Sequence, residues 1–272
     1  MMSLPSQAIG VFDSGVGGLT VMQKLMEVLP NERLIYFGDT ARVPYGNKSR
    51  QTIIRYSIEN TIFLLEKNIK LLVVACNTAA SAALPRLRQF FKLPIVGVIE
   101  AGAKAAVVRT RNKRIAVLGT RATIQSGAYQ TAIHKLAPKA FILPIACPLL
   151  VPLIEEHWLS HPATLMILQQ YLQNVVHEKI DTILLGCTHY PLIASLIQQE
   201  VGDDVTIVDS ALTCAHETAE ILQSNNLQTP VLQGENEVFA SDDPEKFGIL
   251  ARLFLGHSLD EVKLHCAESV GF

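Results

Sequence analysis

Two short segments of this 272-residue chain place a cysteine where it could carry a proton. Cys76 follows the apolar run LLVVA and leads into Asn77-Thr78-Ala79-Ala80. Cys187 follows TILLG and leads into Thr188-His189-Tyr190-Pro191. Each sulfur is expected at the end of a strand, close to a helix start whose dipole favours the thiolate. A free thiol titrates near roughly 8.5, so a modest downward shift would make either one a usable base near neutral pH. A single thiol of this kind would suit a cysteine hydrolase. Two suit a different reaction, in which a proton leaves one face of a carbon and another returns to the opposite face. Such a reaction needs one thiolate and one thiol whose roles exchange with direction. The competing view is that each cysteine is a small buried apolar residue. The repeated strand-end position and the hydrogen-bonding side chains that follow weigh against it.

Other motifs surround this pair. The run VFDSGVGGLTV carries Gly15, Gly17 and Gly18, which let the backbone turn tightly and offer N–H groups to an anion at a helix start. Neither GxxxxGK[ST] nor GxGxxG is present, so a nucleotide loop is not expected. Asp13 in that run is wrong for phosphate. It fits a substrate ammonium or a base assisting a thiol, and helix capping is the plain alternative. Asp39 follows the strand-like LIYFG, with Arg42, Pro44, Tyr45 and Gly46 in the loop beyond it. That loop reads as ordered, or as an ordinary turn. Glu155 and Glu156 follow PLLVPLI near an expected helix start, where a solvated helix face is the usual explanation.

Short, nearly uncharged runs rich in Val, Ile and Leu position these residues. Strands are predicted at Ala8–Phe12, Leu34–Gly38, Leu71–Ala75, Ile95–Val98, Arg114–Leu118, Ala140–Pro144, Thr182–Leu185 and Thr206–Val208. Helix-length segments lie between them, among them Leu19–Leu29, Ser49–Lys67, Thr78–Phe91, Ser126–Leu136, Ala163–Val176 and Leu192–Glu200. This alternation predicts an α/β fold with parallel-rich sheets. It also echoes itself. Ser14 and Thr120 follow strands at an offset of 120 − 14 = 106, and Cys76 and Cys187 at 187 − 76 = 111. Two similar α/β domains are therefore expected, facing each other across a central cleft. Ligands of open parallel sheets bind beyond the carboxyl ends of the strands, where all four polar clusters fall. No Gly/Ser-rich or charged linker separates the halves.

Composition narrows the rest. Hydrophobic residues make up 49% and charged residues 18%, which suits a compact folded chain rather than a disordered one. The net charge of −2 gives no field for nucleic acid or an acidic membrane surface, and neither is expected as a partner. The start MMSLPSQAIGVFD lacks a basic signal-peptide region. The uncharged stretch between Lys139 and Glu155 holds Pro144, Pro148 and Pro152, and reads as a buried strand turning into a helix, too short to span a bilayer. The five cysteines, Cys76, Cys147, Cys187, Cys214 and Cys266, form no CxxC, so no metal site is expected. An odd count without a secretion signal points to free thiols in the cytoplasm.

Taken together, FDSGVGGLTV, YFGDTARVPYG, VVACNTAAS, VLGTRATIQSGAY and LLGCTHYPL resemble the bacterial glutamate racemases of the aspartate/glutamate racemase family. The resemblance runs from Ile9 to about Asp209, five motifs in one order. It implies cofactor-independent conversion of L-glutamate to D-glutamate, which feeds peptidoglycan synthesis. It implies that Cys76 and Cys187 exchange the proton, that Asp13 and His189 assist them, and that Asp39 and Glu155 are candidate supporting acids. Asp13, Ser14, Tyr45, Gly46, Asn77, Thr78, Thr188 and His189 would hold the substrate, with Thr120 and Thr123 near its carboxylates. It also implies that the C-terminal segment returns to complete the first domain. The domains are expected at 1–98 plus 211–272, carrying Cys76, and at 99–210, carrying Cys187. A homodimer is a candidate assembly. Only seven residues precede the first strand, so the activator-binding extension of some relatives is not expected. The alternatives are an aspartate or other acidic amino-acid racemase, a non-catalytic amino-acid-binding protein, and a thiol redox enzyme. The binding protein would not need opposed thiols, and the redox enzyme lacks CxxC.

Overall fold

The computed structural model describes residues 4–231 and 234–265. Cys266 and the end of the expected first domain lie outside the described residues. The chain begins with β1 (Ala8–Asp13), α1 (Leu19–Val28), β2 (Leu34–Gly38), α2 (Arg50–Glu66), β3 (Ile69–Val74), α3 (Asn77–Phe90) and β4 (Ile95–Gly97). It continues through α4 (Val98–Arg109), β5 (Arg114–Gly119), α5 (Arg121–Gln125), α6 (Ala128–Leu136) and β6 (Phe141–Ala146). Then come α7 (Leu150–Glu155), α8 (Pro162–His177), β7 (Thr182–Gly186), α9 (Ala194–Val201) and β8 (Thr206–Val208). The return is made by α10 (Ala211–Ser224), β9 (Glu237–Ala240), α11 (Pro244–Leu255) and β10 (Lys263–Leu264).

Among the described residues the strands form two sheets, in the orders β10-β9-β2-β1-β3-β4 and β6-β5-β7-β8. Every pairing is parallel. The central strands β1, β3 and β7 are buried along their whole length, as strands covered on both faces by helices must be. The echo in the sequence has a topological counterpart: β2-β1-β3-β4 of the first sheet matches β6-β5-β7-β8 of the second, position for position. Ser14 and Thr120 thus follow equivalent strands, β1 and β5, and Cys76 and Cys187 follow equivalent strands, β3 and β7.

Two expectations about strands are corrected. The stretch from Lys139 contains a strand, β6, but it is not buried; it forms the edge of the second sheet, with exposed or half-buried residues throughout. Pro144 lies in it, and proline, having no N–H to donate, is tolerated at an edge. Two strands, β9 and β10, fall outside the runs predicted from sequence. They carry the return segment onto the free side of β2, in the register Ile35–Glu237 to Gly38–Ala240. Among the described residues no helix is long and apolar enough to cross a membrane.

Candidate active site

The carboxyl ends of β1, β3, β5 and β7 face a cavity of about 230 Å³. Pockets for drug-sized ligands run to roughly 300–1,000 Å³, so this one suits a small metabolite. Both Cys76 and Cys187 line it, with Ser14, Asn77, Thr78, Thr120, Thr188 and His189. Tyr45, Gly46 and Glu155 close its rim. Asp13 and Thr123 are buried just behind the wall.

Cys76 caps the N-terminus of α3. Its sulfur accepts the Ala79 N–H at 3.4 Å, and its thiol donates to Ser14 Oγ at 3.5 Å. The helix start therefore exists, yet the thiol pKa is not lowered. Burial and the neighbouring Asp13 carboxylate push it up to about 12. Desolvation outweighs the helix dipole here, which corrects the expectation of a modest downward shift. Asp13 is itself buried. Its Oδ2 accepts the Gly15 N–H at 2.9 Å, while Oδ1 has no hydrogen-bond partner among the described residues. Burial raises its pKa, against the pull of the charge on His189 and the loop N–H groups. Asp13 is not the N-cap residue of α1; that position is Gly18.

Cys187 has a different neighbourhood. No helix starts directly at it; a short 3₁₀ turn, Tyr190–Ile193, intervenes before α9. Its sulfur instead lies 4.0 Å from Nδ1 of His189, whose Nε2 lies 2.8 Å from Oε1 of Glu155. Burial pulls the His189 pKa down, but Cys187 and Glu155 outweigh it and raise the pKa to about 10. The arrangement is a histidine held between a sulfur and a carboxylate, which favours the charged ring. Glu155 ends α7 rather than standing near the start of a helix. From the end of α7 its carboxylate reaches His189.

The halves meet tightly around these groups. A Cβ on Gly17 would lie 2.5 Å from Nδ1 of His189, and a Cβ on Gly46 would lie 2.8 Å from Cβ of Thr120. Gly17 and Gly18 have no left-handed φ, so it is close approach, not turn geometry, that demands glycine there. The Gly15 N–H, expected to face an anion, is taken by Asp13. Across the cleft, Thr78 Oγ1 lies 2.9 Å from Thr120 Oγ1 and 3.2 Å from Thr123 Oγ1. Thr120 and Thr123 are themselves 2.9 Å apart, and Thr120 caps α5.

Asp39 stands apart from both sulfurs. Its carboxylate receives Arg42 Nε at 2.9 and 2.8 Å, Ser241 Oγ at 3.1 Å and the Tyr45 hydroxyl. Arg42 also reaches Glu59 and Asn60, and Asn60 donates to the Tyr45 oxygen at 3.1 Å. This network uses up the Tyr45 hydroxyl and fixes the loop, leaving the backbone of Tyr45 and Gly46 for a ligand. Asp39 holds the rim rather than a thiol. The sequence motifs also missed part of the wall. Arg121, Cys147, Val151 and Pro152 line the cavity, and Tyr36 donates to the Gly15 carbonyl at 2.8 Å from beneath it. Only the position of Arg121 beside Thr120 could have flagged any of them. Burial, and then Cys187, push the Cys147 thiol up to about 12. Among the described residues no cluster of His, Cys, Asp or Glu could hold a metal ion.

The chain is similar to proteins of known activity. The family model for Asp/Glu/hydantoin racemases matches residues 9–218. A glutamate racemase of Syntrophus aciditrophicus is 50% identical over 256 residues, covering 94% of this chain and 95% of that relative. The crystal structure of a glutamate racemase isoform from Bacillus anthracis superposes with a TM-score of 0.91 at 38% identity, covering 96% of this chain and 97% of the other. The glutamate racemase of Francisella tularensis, solved with D-glutamate, gives a TM-score of 0.90 at 35% identity, covering 96% and 98%.

Proposed function

Because the chain belongs to the Asp/Glu/hydantoin racemase family, a family of isomerases, we propose that it interconverts L- and D-glutamate by passing the α proton between Cys76 and Cys187. The observation that carries this reading is that equivalent strands of two matching half-sheets each end in a cysteine, and both sulfurs line one small cavity. A thiolate on one side takes the α proton, leaving a planar carbanion. The thiol on the other side delivers its proton to the opposite face, and the reverse reaction exchanges the roles. Ser14, Asn77, Thr78, Thr120 and Thr188 supply hydroxyl and amide donors for the two carboxylates and the ammonium, with Thr123 behind them. Tyr45 and Gly46 contribute backbone from the rim.

The assisting groups differ between the sulfurs. His189, protonated and backed by Glu155, stabilises charge on Cys187, and Asp13 acts beside Cys76. The chemistry as written draws on no cofactor. Glutamate rather than aspartate is the substrate on this reading, since the relatives at about half identity are glutamate racemases. We place the domain boundaries near residues 98 and 210, where the chain passes from one sheet to the other and back. A D-glutamate product would supply peptidoglycan synthesis in the cytoplasm.

The test is to follow purified protein with L- and D-glutamate by circular dichroism, alongside Cys76→Ser and Cys187→Ser. A serine hydroxyl is too weak an acid to replace either thiol, so each variant is expected to lose net racemisation. Each should keep α-proton chemistry on a single enantiomer of an analogue with a leaving group, which needs only one base. Near-normal racemisation in either variant would overturn the two-thiol mechanism.

A further inference from the structure

Asn77 follows Cys76 and lines the cavity, yet its side chain is only half used. It is 3% exposed. Its Oδ1 accepts a hydrogen bond from the Tyr129 hydroxyl at 2.5 Å, while Nδ2 is buried without a partner among the described residues. A buried amide donor left unmade is costly, and such groups in native folds call for a reason. Here the donor belongs to a cavity wall, and the group it lacks is an acceptor that arrives with the ligand.

An asparagine amide turns about a broad, two-fold torsion, so its position next to a ligand does not by itself decide which end faces inward. The neighbour behind it decides. Tyr129 lies on α6 in the half opposite Cys76 and is buried. Its ring is seated by two glycines: a Cβ on Gly102 would lie 3.1 Å from Cε1, and one on Gly186 would lie 2.9 Å from Cε2. Burial, followed by negative charge on Cys187 and Cys214, drives the phenol pKa well up, so it keeps its proton and remains a donor. A hydroxyl that keeps its proton donates it to Asn77, and it can do so only to Oδ1. The amide is thereby set with its NH₂ toward the cavity.

We propose that Tyr129 is a positioning residue of the reaction, locking the Asn77 amide across the junction of the two halves so that Nδ2 donates to a substrate carboxylate. Without the hydroxyl, the amide could present its oxygen instead, which repels a carboxylate. This inference rests on the reading of the substrate as an amino dicarboxylate.

The test is a double-mutant cycle in racemisation kinetics with L- and D-glutamate, using Tyr129→Phe, Asn77→Ala and the double variant. Losing a hydrogen bond to a charged group commonly costs about tenfold or more, so Asn77→Ala should raise KM by about that factor. Tyr129→Phe keeps the ring, and is expected to raise KM about three- to tenfold with kcat changed less than about twofold, as loss of a properly aimed donor should. In the Asn77→Ala background, Tyr129→Phe should add nothing. Gly102→Ala, whose added methyl would press on the Tyr129 ring at 3.1 Å and on its hydroxyl at 3.2 Å, should raise KM in the same sense by less, and only when Asn77 is present. This second variant carries the test if Tyr129→Phe fails to fold. A folded Tyr129→Phe protein with unchanged KM would overturn the proposal. So would the same factor appearing with and without Asn77, which would assign Tyr129 to packing alone. If the unaltered protein did not racemise glutamate, the functional reading would fail instead, and the two failures are distinct.

Discussion

The contact at Gly17 ties the fold to the chemistry. Gly17 lies in the loop after β1, and a Cβ there would lie 2.5 Å from Nδ1 and 2.6 Å from Cε1 of His189, and against Oγ1 of Thr188. Its backbone is one that alanine adopts without strain, so the consequence of Gly17→Ala is steric alone. Ordinary van der Waals contact begins near 3.4 Å, so the imidazole must retreat by 3.4 − 2.5 = 0.9 Å. It cannot rotate freely out of the way, because Nε2 is held by Glu155 and Phe254 packs edge-on against the ring. The displacement is therefore passed to the Cys187 loop, or to the spacing between the halves. A misplacement of about 1 Å at a reacting group can cost a factor of about a hundred.

The expected outcome for Gly17→Ala is a fall of about a hundredfold in kcat/KM, measured by circular dichroism from both enantiomers. The fall must be equal in the two directions, because the enantiomers have equal free energy in water. Overpacking costs about 1–3 kcal/mol, partly offset by about 0.4–1 kcal/mol from the stiffer unfolded chain, so the melting temperature should drop by no more than about 10 °C. Gly127→Ala is the control. Its φ is +66° and nothing lies within 4 Å of a Cβ placed there, so it should lose about 1–2 kcal/mol of stability with unchanged kinetics. A folded Gly17→Ala protein within about threefold of the unaltered activity would refute the claim that this contact sets the position of His189.

Two further perturbations have outcomes fixed by the structure. Glu155→Gln removes one of the two groups that raise His189, so the imidazolium should deprotonate below the present value of about 10 and the alkaline limb of the kcat/KM profile should move to lower pH. The same group bears on stability: its folded pKa lies above the unfolded value, so its contribution is complete below about pH 6.5 and is lost as pH rises through about 10. Denaturant midpoints measured across that window should fall for the unaltered protein and fall less for Glu155→Gln. Away from the cavity, Lys70 and Glu32 form a buried ion pair at 2.5 Å, with Thr229 donating to Glu32 at 2.8 and 3.0 Å. Lys70→Met strands the carboxylate and should cost about 3–5 kcal/mol, seen as a fall of roughly 6–20 °C in melting temperature, with little change in kcat at low temperature.

What the sequence made legible was local. Apolar runs of strand length marked β1 to β8 to within a few residues, because charge in a strand covered on both faces must be paired, as Lys70 of β3 is with Glu32, and is therefore sparse. Ser14, Cys76, Thr120 and Cys187, which follow four of those runs, line the cavity. What escaped depended on distant partners. β9 is four residues long with Glu237 at its start, and it becomes a strand because β2 offers a free edge. Asp39 gave no sign that Arg42, Glu59 and Asn60 would draw it into the rim, since those contacts reach into α2. Cys147 sits in a proline-rich run with no motif around it, and the turn after β6 brings it to the wall. The rise of the Cys76 pKa was equally out of reach: the helix start could be read from CNTAA, but the desolvation that overrides it belongs to the whole fold.

The two halves repeat a strand order but not the charges beside the sulfurs, and that difference governs how a catalytic cycle closes. If the α proton passes between the sulfurs as proposed, each conversion leaves Cys76 and Cys187 with exchanged protonation states. The state with charge on Cys187 faces the His189 imidazolium, whereas charge on Cys76 faces burial and the Asp13 carboxylate. On this mechanism the neighbouring charges favour the first state, so the free enzyme takes a proton more readily from one enantiomer than from the other. The equilibrium between enantiomers is untouched, and kcat/KM must be equal in the two directions. The bias appears instead as unequal kcat values matched by an equal ratio of KM values. Sequence position alone suggests opposite effects for Asp13→Asn and His189→Asn, because each residue accompanies a different thiol. The charges imply otherwise. Removing the anion beside Cys76 and removing the cation beside Cys187 both narrow the gap between the two states. Each variant should lose rate, by roughly a hundred to ten thousandfold where proton transfer is impaired, and each should bring the two kcat values closer together. Initial rates from L- and D-glutamate, with α-proton exchange in deuterated solvent measured for each, decide the matter. A kcat ratio that moved apart in either variant would show that these neighbours do not set the resting balance of the thiols.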